Sequence, residues 1–480
     1  PDFVTSGATT VELGSPGRWT AAMVVLMATW WMTEAIAISA TALVPIVAFP
    51  LLGIASIEDA AAPYANPMIF LFLGGFLLAL SMQRWGLERR LAMIALRLVG
   101  TEPRRVVGGF MVITAVFSMW VSNTATVAMM LPVALSVIDA AVPDGRAALT
   151  SSRQLPGRNF AVSLLLGVAV AASIGGVGTL IGTPPNLFLA SFARENLGVE
   201  ISFVAWLGIG LPIVAVLLPL AWLLVTRVLF PPDVDPALLA RALDREESDE
   251  SDELGPMSRG ERVTMVVFVL TVIAWITRPL LQEVVIGGVT PLEGLTDAGI
   301  AMAAGLILFA IPVDVRRREF VMDWPTALKV PWGVLILFGG GLSLAAAIDS
   351  NGVAEFLGLQ AEGLAMLPVL VAVGVITAGV IFLTELTSNT ATAAALIPIF
   401  AAIAPALGAD PLALAVPTAI AASLAFMLPV ATPPNAIVFG SGLVQVPDMM
   451  RLGLRLNVLA VMVVTAATFL LAGPILGLSF

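Results

Sequence analysis

Neither cysteine nor histidine occurs anywhere in the 480 residues, and Lys329 is the only lysine. The first absence removes disulfides and thiolate nucleophiles. The second removes His-ligated metals and histidine proton relays. Charge is scarce: 12% of residues are Asp, Glu, Lys or Arg, against 59% hydrophobic, and mean hydropathy is +1.00. An intramembrane enzyme would need a nucleophile–base pair or a metal cluster. Scattered carboxylates supply neither, so the chain reads as no enzyme. The formal charge of −10 owes much to one run, Asp244 to Glu253, and says little about any cargo. Residues 1–18 are polar, begin with proline and form no signal peptide.

What is present is apolar sequence in runs of membrane-spanning length, which predicts an all-α polytopic membrane protein. The alternating polarity of a β-barrel is missing. The runs bounded by charges and Pro/Gly are 19–33, 36–53, 67–82, 159–192, 203–228, 263–278, 297–312, 331–348, 411–442 and 456–478. Residues 84–105, with Arg84, Arg89, Arg90, Arg97, Arg104 and Arg105, read as an amphipathic helix along the membrane surface.

Polar clusters interrupt this apolar sequence twice. Ser122-Asn123-Thr124-Ala125-Thr126 returns as Ser388-Asn389-Thr390-Ala391-Thr392, 266 residues later. Phe72-Leu73-Gly74-Gly75 and Phe338-Gly339-Gly340-Gly341 keep the same offset. Thr183-Pro184-Pro185-Asn186 returns as Thr432-Pro433-Pro434-Asn435, 249 later. Three ordered matches establish a repeat. Stretches 106–140 and 366–403, bent at the Ser-Asn-Thr clusters, are expected to be re-entrant helical hairpins. Runs 159–192 and 411–442 are too long for one crossing and are expected to be helices broken at Thr-Pro-Pro-Asn, because proline lacks the amide donor and clashes with the preceding turn.

Loop charge gives the relation between the halves. The Arg-bearing connections are 84–105, 144–158, 227–262, 316–329 and 451–455, whereas 54–66, 279–296 and 349–365 are poor in basic residues. By the positive-inside rule the first group is cytoplasmic. The segment after 67–82 is basic and its counterpart after 331–348 is not; for the loops after 36–53 and 297–312 the signs are swapped. That pattern predicts inverted-topology repeats. Segment 231–262 is then a cytoplasmic acidic linker. Residue 19 falls on the outer face, which leaves room for one more helix before residue 1.

Broken helices present free N-terminal amides, which attract anions, and C-terminal carbonyls, which suit a small hard cation such as Na⁺. Asn123 and Asn389 carry a donor and an acceptor, so each can bridge an ion and a carboxylate. Thr124 and Thr390 add hydroxyl donors. Ser118 and Thr384, four residues before each cluster and again 266 apart, are placed to complete a cation shell. No Arg or Lys lies in the clusters. A di-anion held by dipoles, hydroxyls and co-bound cations has an affinity coupled to cation occupancy, which is symport. Single Ser, Thr and Asn residues in membrane helices usually serve packing; a doubled cluster beside a doubled Thr-Pro-Pro-Asn does not fit that reading. An anion channel would require a continuous basic or hydroxyl-lined pore.

Two acidic residues border apolar sequence. Glu385 has Met119 at its first-half position, and two readings stay open: proton coupling or cation attraction, or a structural cap or Arg partner. Glu34, at a short turn, is expected to be structural. Gly74-Gly75 and Gly339-Gly340-Gly341 are expected to serve helix packing, and Gly175-Gly176 with Gly178 to act as a flexible joint.

The doubled Ser-Asn-Thr with doubled Thr-Pro-Pro resembles the divalent anion/sodium symporter family, which includes bacterial and animal di- and tricarboxylate carriers. Trp30-Trp31-Met32-Thr33-Glu34-Ala35-Ile36 is similar to that family's early helix signature. The resemblance, from about residue 19 to the C-terminus, implies a multi-pass homodimer of the cell (inner) membrane working as an elevator. Its scaffold would be 1–105 and 263–365, its transport parts 106–230 and 366–480, joined by the linker 231–262. One Na⁺ would sit near Ser118, Ser122, Asn123 and the Gly182 carbonyl, another near Thr384, Thr387, Asn389 and the Ala431 carbonyl. Substrate carboxylates would meet Asn123, Thr124, Asn389 and Thr390, with Thr183, Pro184, Thr432 and Pro433 lining the site. Two intact Ser-Asn-Thr clusters favour a C4-dicarboxylate (succinate, malate or fumarate) taken with two or more Na⁺. The alternatives are Na⁺-independent dicarboxylate exchange, or carriage of citrate or sulfate. No organic cofactor and no nucleic-acid partner are implied.

Overall fold

The computed structural model of the protein describes residues 3–6, 9–96, 100–142, 157–241, 255–285, 288–361 and 367–480. Asp244 to Glu253, Arg97 and most of the connection 144–158 lie outside the described residues. Helices dominate, with two short β-hairpins, Phe3–Ser6 with Thr9–Glu12 and Pro312–Asp314 with Glu319–Phe320. Among the described residues, eight helices are long and apolar enough to cross a membrane.

At the 266-residue offset the halves match element by element. Pro67–Arg84 corresponds to Trp332–Ser350, Leu87–Leu96 to Val353–Gln360, and Pro103–Ser118 to Val369–Thr384. Asn123–Ala141 corresponds to Asn389–Ile403 with its 3₁₀ extension Ala404–Leu407. The two expected hairpins are therefore Pro103–Ser118 with Asn123–Ala141, and Val369–Thr384 with Asn389–Ile403, turning at Met119–Ser122 and Glu385–Ser388. Each first arm has 16 residues, which at 1.5 Å per residue is about 24 Å and shorter than a hydrocarbon core of about 30 Å.

Both expected breaks are present. Arg158–Gly176 stops and resumes as Pro184–Leu197; Pro411–Ala421 stops and resumes as Pro433–Gly440. The prolines open the second helix of each pair, a position where the missing amide costs nothing. Each resumed helix crosses to the opposite half. Pro184–Leu197 packs against Asn389–Ile403, and Pro433–Gly440 against Asn123–Ala141. Arg158–Gly176, apolar on every side, lies in the interior, with 94% of its apolar window buried. Arg259–Gln282 is only 28% buried and turns Val266, Leu270 and Ile273 outward, as a lipid-facing helix would.

The glycine runs serve packing. A β-carbon at Gly74 would meet the Ala301 backbone, one at Gly340 the Ala42 backbone, and one at Gly341 the Phe188 ring. At the expected joint, Gly175, Gly176 and Gly178 adopt no positive φ and are closely packed. Gly175 lies against the Ala115 backbone, and a β-carbon at Gly176 would stand 2.8 Å from Asn123 Oδ1. They let the first break approach the hairpin tip.

Several boundaries differ from the sequence reading. Run 36–53 is two pieces, Ile38–Thr41 and Val44–Leu52, divided just before Pro45. Run 456–478 starts earlier, in the helix Val446–Ala467. The surface segment 84–105 holds a ten-residue helix, Leu87–Leu96, and by Pro103 the first hairpin has begun. Two of its arginines are tied to distant protein: Arg84 Nη1 lies 2.8 Å from Asp323 Oδ2 and Arg90 Nε 2.5 Å from Glu261 Oε1.

Candidate substrate and cation site

The two hairpin tips and the two Thr-Pro-Pro turns meet at one cavity of about 1030 Å³. Ser122, Asn123, Thr124, Gly182, Thr183 and Pro184 line it from one half. Thr387, Ser388, Asn389, Thr390, Ala431, Thr432 and Pro433 line it from the other. Four helices begin at this wall, at Asn123, Pro184, Asn389 and Pro433, so their positive ends converge on it. Among the described residues, no Arg or Lys lines the cavity. Every sequence-derived site residue except Ser118 and Thr384 faces it; those two are fully buried behind the tips.

Behind each tip the same cluster of oxygens recurs. The Ser118 hydroxyl lies 2.5 Å from Asn123 Oδ1 and 2.7 Å from the Ala172 carbonyl. The Thr384 hydroxyl lies 2.8 Å from Asn389 Oδ1 and 3.1 Å from the Ala422 carbonyl. One hydroxyl proton can serve only one of its two acceptors, so each cluster holds more lone pairs than protons. Neutral carbonyl, amide and hydroxyl oxygens of this kind fit a hard monovalent cation. With Oδ1 engaged there, the amide nitrogen of each asparagine is the donor left for an anion in the cavity. Thr387 is committed elsewhere: its hydroxyl donates to Leu383 O at 3.0 Å or pairs with Thr392 Oγ1 at 2.7 Å.

Sequence reasoning missed the Ala172 and Ala422 carbonyls, since a backbone oxygen leaves no mark on residue identity. It also quoted Asn186 and Asn435 without giving them a role. The first break is held by Asn186 Nδ2, which donates to Gly176 O at 3.1 Å and Thr179 O at 2.8 Å, while Trp206 Nε1 donates to Val177 O at 3.0 Å. Asn435 Nδ2 donates to Leu428 O at 3.0 Å in the second. These bonds satisfy carbonyls that the interruption leaves without helical partners.

The geometry decides between the readings of Glu385. Its carboxylate is 3% exposed and accepts from the Phe426, Met427 and Leu428 amides at 2.7–3.1 Å. Asn457 Nδ2 donates to it at 2.9 Å. It caps the unwound stretch of the second broken helix and, among the described residues, meets no arginine. Glu34 stands at the expected turn, ending the helix Ser15–Thr33 with φ 50°, and also lines the cavity, with Met32, Thr33, Phe72, Pro331 and Val334 beside it in the lining.

The family model described as "Sodium:sulfate symporter transmembrane region" matches residues 12–478. The chain is 41% identical over 468 residues to the sodium-dependent dicarboxylate transporter SdcS of Staphylococcus saprophyticus, covering 97% of this chain and 88% of that protein. Similarity to the protein of the same name in Staphylococcus aureus is 41% over 469 residues, with the same coverage. Among solved structures, the Alcanivorax borkumensis YdaH transporter superposes with a TM-score of 0.57 at 12% identity, covering 96% of this chain and 98% of that one. Neisseria gonorrhoeae MtrF, described in a study of antimetabolite efflux pumps, gives 0.56 at 13% identity, covering 96% of each. These two likenesses concern the fold alone.

Proposed function

The chain belongs to the sodium:sulfate symporter transmembrane family, and from that premise we propose that it is a secondary active transporter carrying a C4-dicarboxylate with Na⁺ across the cell (inner) membrane. One observation carries the reading: both Ser-Asn-Thr tips and both Thr-Pro-Pro turns line one cavity free of basic side chains, each tip backed by a matching oxygen cluster.

The magnitudes explain the coupling. Four helix N-termini, each contributing about 0.5–1 kcal/mol, give only about 2–4 kcal/mol for an anion. That corresponds to millimolar binding or weaker. A monovalent cation about 5 Å from a carboxylate, at an effective dielectric near 20, adds about 3 kcal/mol. Each bound Na⁺ therefore raises anion affinity on the order of 100-fold, and by linkage the anion holds the Na⁺ equally. Asn123 and Asn389 transmit the effect directly, with Oδ1 on the cation and Nδ2 on the carboxylate. Ser118, Ser122 and the Gly182 carbonyl complete one cation site; Thr384, the Ala431 carbonyl and a Thr387 released from Thr392 complete the other. Thr124, Thr390, Thr183, Pro184, Thr432 and Pro433 shape the anion pocket.

Translocation in this reading is an elevator. The parts 106–230 and 366–480 move as one transport body against the scaffold 1–105 and 263–365, which also holds a homodimer interface. The halves are inverted-topology repeats with re-entrant hairpins; the element-by-element match and the short hairpin arms support this. The wall of Met32, Glu34, Phe72 and Val334 then belongs to the scaffold, across which the tips slide.

The test is radiolabelled succinate uptake into proteoliposomes, with an inward Na⁺ gradient against K⁺, and with or without unlabelled succinate inside. Uptake that requires external Na⁺ and no internal substrate is expected. Uptake indifferent to Na⁺ but dependent on internal dicarboxylate would make the protein an exchanger. No uptake under either condition would move the cargo to sulfate or citrate.

A further inference from the structure

The helix Asp297–Ala310 leaves Leu306 and Ile307 exposed, and two residues later the chain makes the hairpin Pro312–Asp314 with Glu319–Phe320. A hairpin so close to an outward-facing apolar helix stands at the edge of the hydrocarbon layer. At its tip are Val315, Arg316, Arg317 and Arg318, all exposed. Asp314 holds the tip in shape, accepting from the Arg316 and Arg317 amides at 2.8 and 3.2 Å. Arg318 takes φ 51°, a left-handed conformation that favours glycine and that this tight turn imposes. Among the described residues, Arg316 and Arg318 have no side-chain partner, and the Arg317–Asp314 pair is open, at 3.7 Å with both side chains exposed.

The base of this hairpin is rigid. Val321 N and Met322 N donate to Ile311 O and Leu308 O at 3.1 and 3.0 Å, and Trp85 Nε1 donates to Val321 O at 2.8 Å. The Arg84–Asp323 ion pair closes the other side. In the segment that follows, Trp324 and Leu328 are exposed at 62% and 56%, with Lys329 next to them also exposed. An exposed tryptophan beside basic residues is typical of the water–lipid boundary. Solvated arginines of a loop in bulk water would need neither a stapled base nor an exposed tryptophan in the segment that follows.

We propose that the Arg316-Arg317-Arg318 hairpin, with Lys329 and the exposed Trp324, is a binding surface for the phosphate headgroups of anionic glycerophospholipids in the cytoplasmic leaflet. Guanidinium forks match phosphate oxygens, and juxtamembrane basic residues gain from the negative surface potential of such lipids. The matching first-half loop 54–66 has no basic residue, so the surface belongs to one half only. It shares no residue with the cavity lining and does not rest on the transport reading.

The test places the full chain in nanodiscs of equal phosphatidylglycerol and phosphatidylcholine, extracts it gently, and counts retained lipids by native mass spectrometry. With about 1 kcal/mol per basic residue, wild type is expected to retain phosphatidylglycerol with a preference on the order of 10–100-fold. The triple variant R316Q/R317Q/R318Q loses that preference, and R316K/R317K/R318K keeps most of it. Equal retention of both lipids by wild type, or an unchanged preference in the triple Gln variant, would overturn the proposal. Monodisperse elution of each variant, with a Tm matching wild type in phosphatidylcholine alone, excludes misfolding as the cause.

Discussion

The two broken helices solve one problem with opposite chemistry. In the first, neutral donors from Asn186 and Trp206 satisfy the exposed carbonyls. In the second, a buried carboxylate, Glu385, gathers three amides and the Asn457 side chain. The first-half counterpart of Glu385 is Met119, whose backbone carbonyl accepts from the Thr179 hydroxyl. The second half therefore carries a buried carboxyl group one residue from Thr384, where the first half has none. Opposite charges attract strongly where water is excluded. Beyond capping the break, this carboxylate is therefore expected to make the second oxygen cluster the stronger cation site, although the donors it shares with the first are alike.

The largest effect tests whether both tips are indispensable. Asn123→Ala and Asn389→Ala each remove the bridging amide, and uptake should fall at least about 100-fold in both, given one cation's contribution of about 3 kcal/mol. Retention of activity by either would show that one half alone suffices. Next, Glu385→Gln leaves one oxygen for four donors, each unmet one costing about 1–3 kcal/mol. The Na⁺ concentration for half-maximal uptake should rise about tenfold or more with a lowered Tm, whereas Met119→Gln should leave Na⁺ dependence near wild type. Equal shifts in the two variants would remove the asymmetry.

Smaller still is the contrast between the break-holding asparagines. Asn186→Ala frees two carbonyls and Asn435→Ala one, so the loss of stability should be about twice as large for the first, at about 1–3 kcal/mol per group. Thermal unfolding in detergent ranks them. The smallest effect concerns Glu88, whose second-half counterpart is Ala354. Burial raises the Glu88 carboxyl to about 7 from its ordinary value. An acid held above its unfolded value contributes stability present below about pH 4.5 and lost as pH rises through 7. Tm should fall between pH 5 and pH 8 in wild type, and Glu88→Gln should flatten that slope.

The site was legible wherever polar side chains interrupt apolar sequence at a cost that only function or a helix break explains. Ser-Asn-Thr and Thr-Pro-Pro-Asn were therefore visible, and so were the hairpins and breaks they cause. What stayed hidden depends on distant partners. Arg84 and Arg90 look like surface charges until Asp323 and Glu261, more than 160 residues away, are brought beside them. Glu385 could not be assigned because its ligands are backbone amides of Phe426 to Leu428, which any sequence would supply. Glu34 sits at a helix end that reads like an ordinary turn, and only the fold turns it toward the cavity.

Each resumed helix leaves its own half and packs on the hairpin of the other. The binding wall is consequently a joint possession, woven so that neither half owns a complete pocket. A chain cut between its halves would yield two fragments, each with a hairpin and a broken helix but no closed site, and activity would return only on reassociation. For the same reason the two halves are free to diverge in scaffold, loops and lipid contacts but must drift together at their polar tips, since each tip is completed by its neighbour's helix.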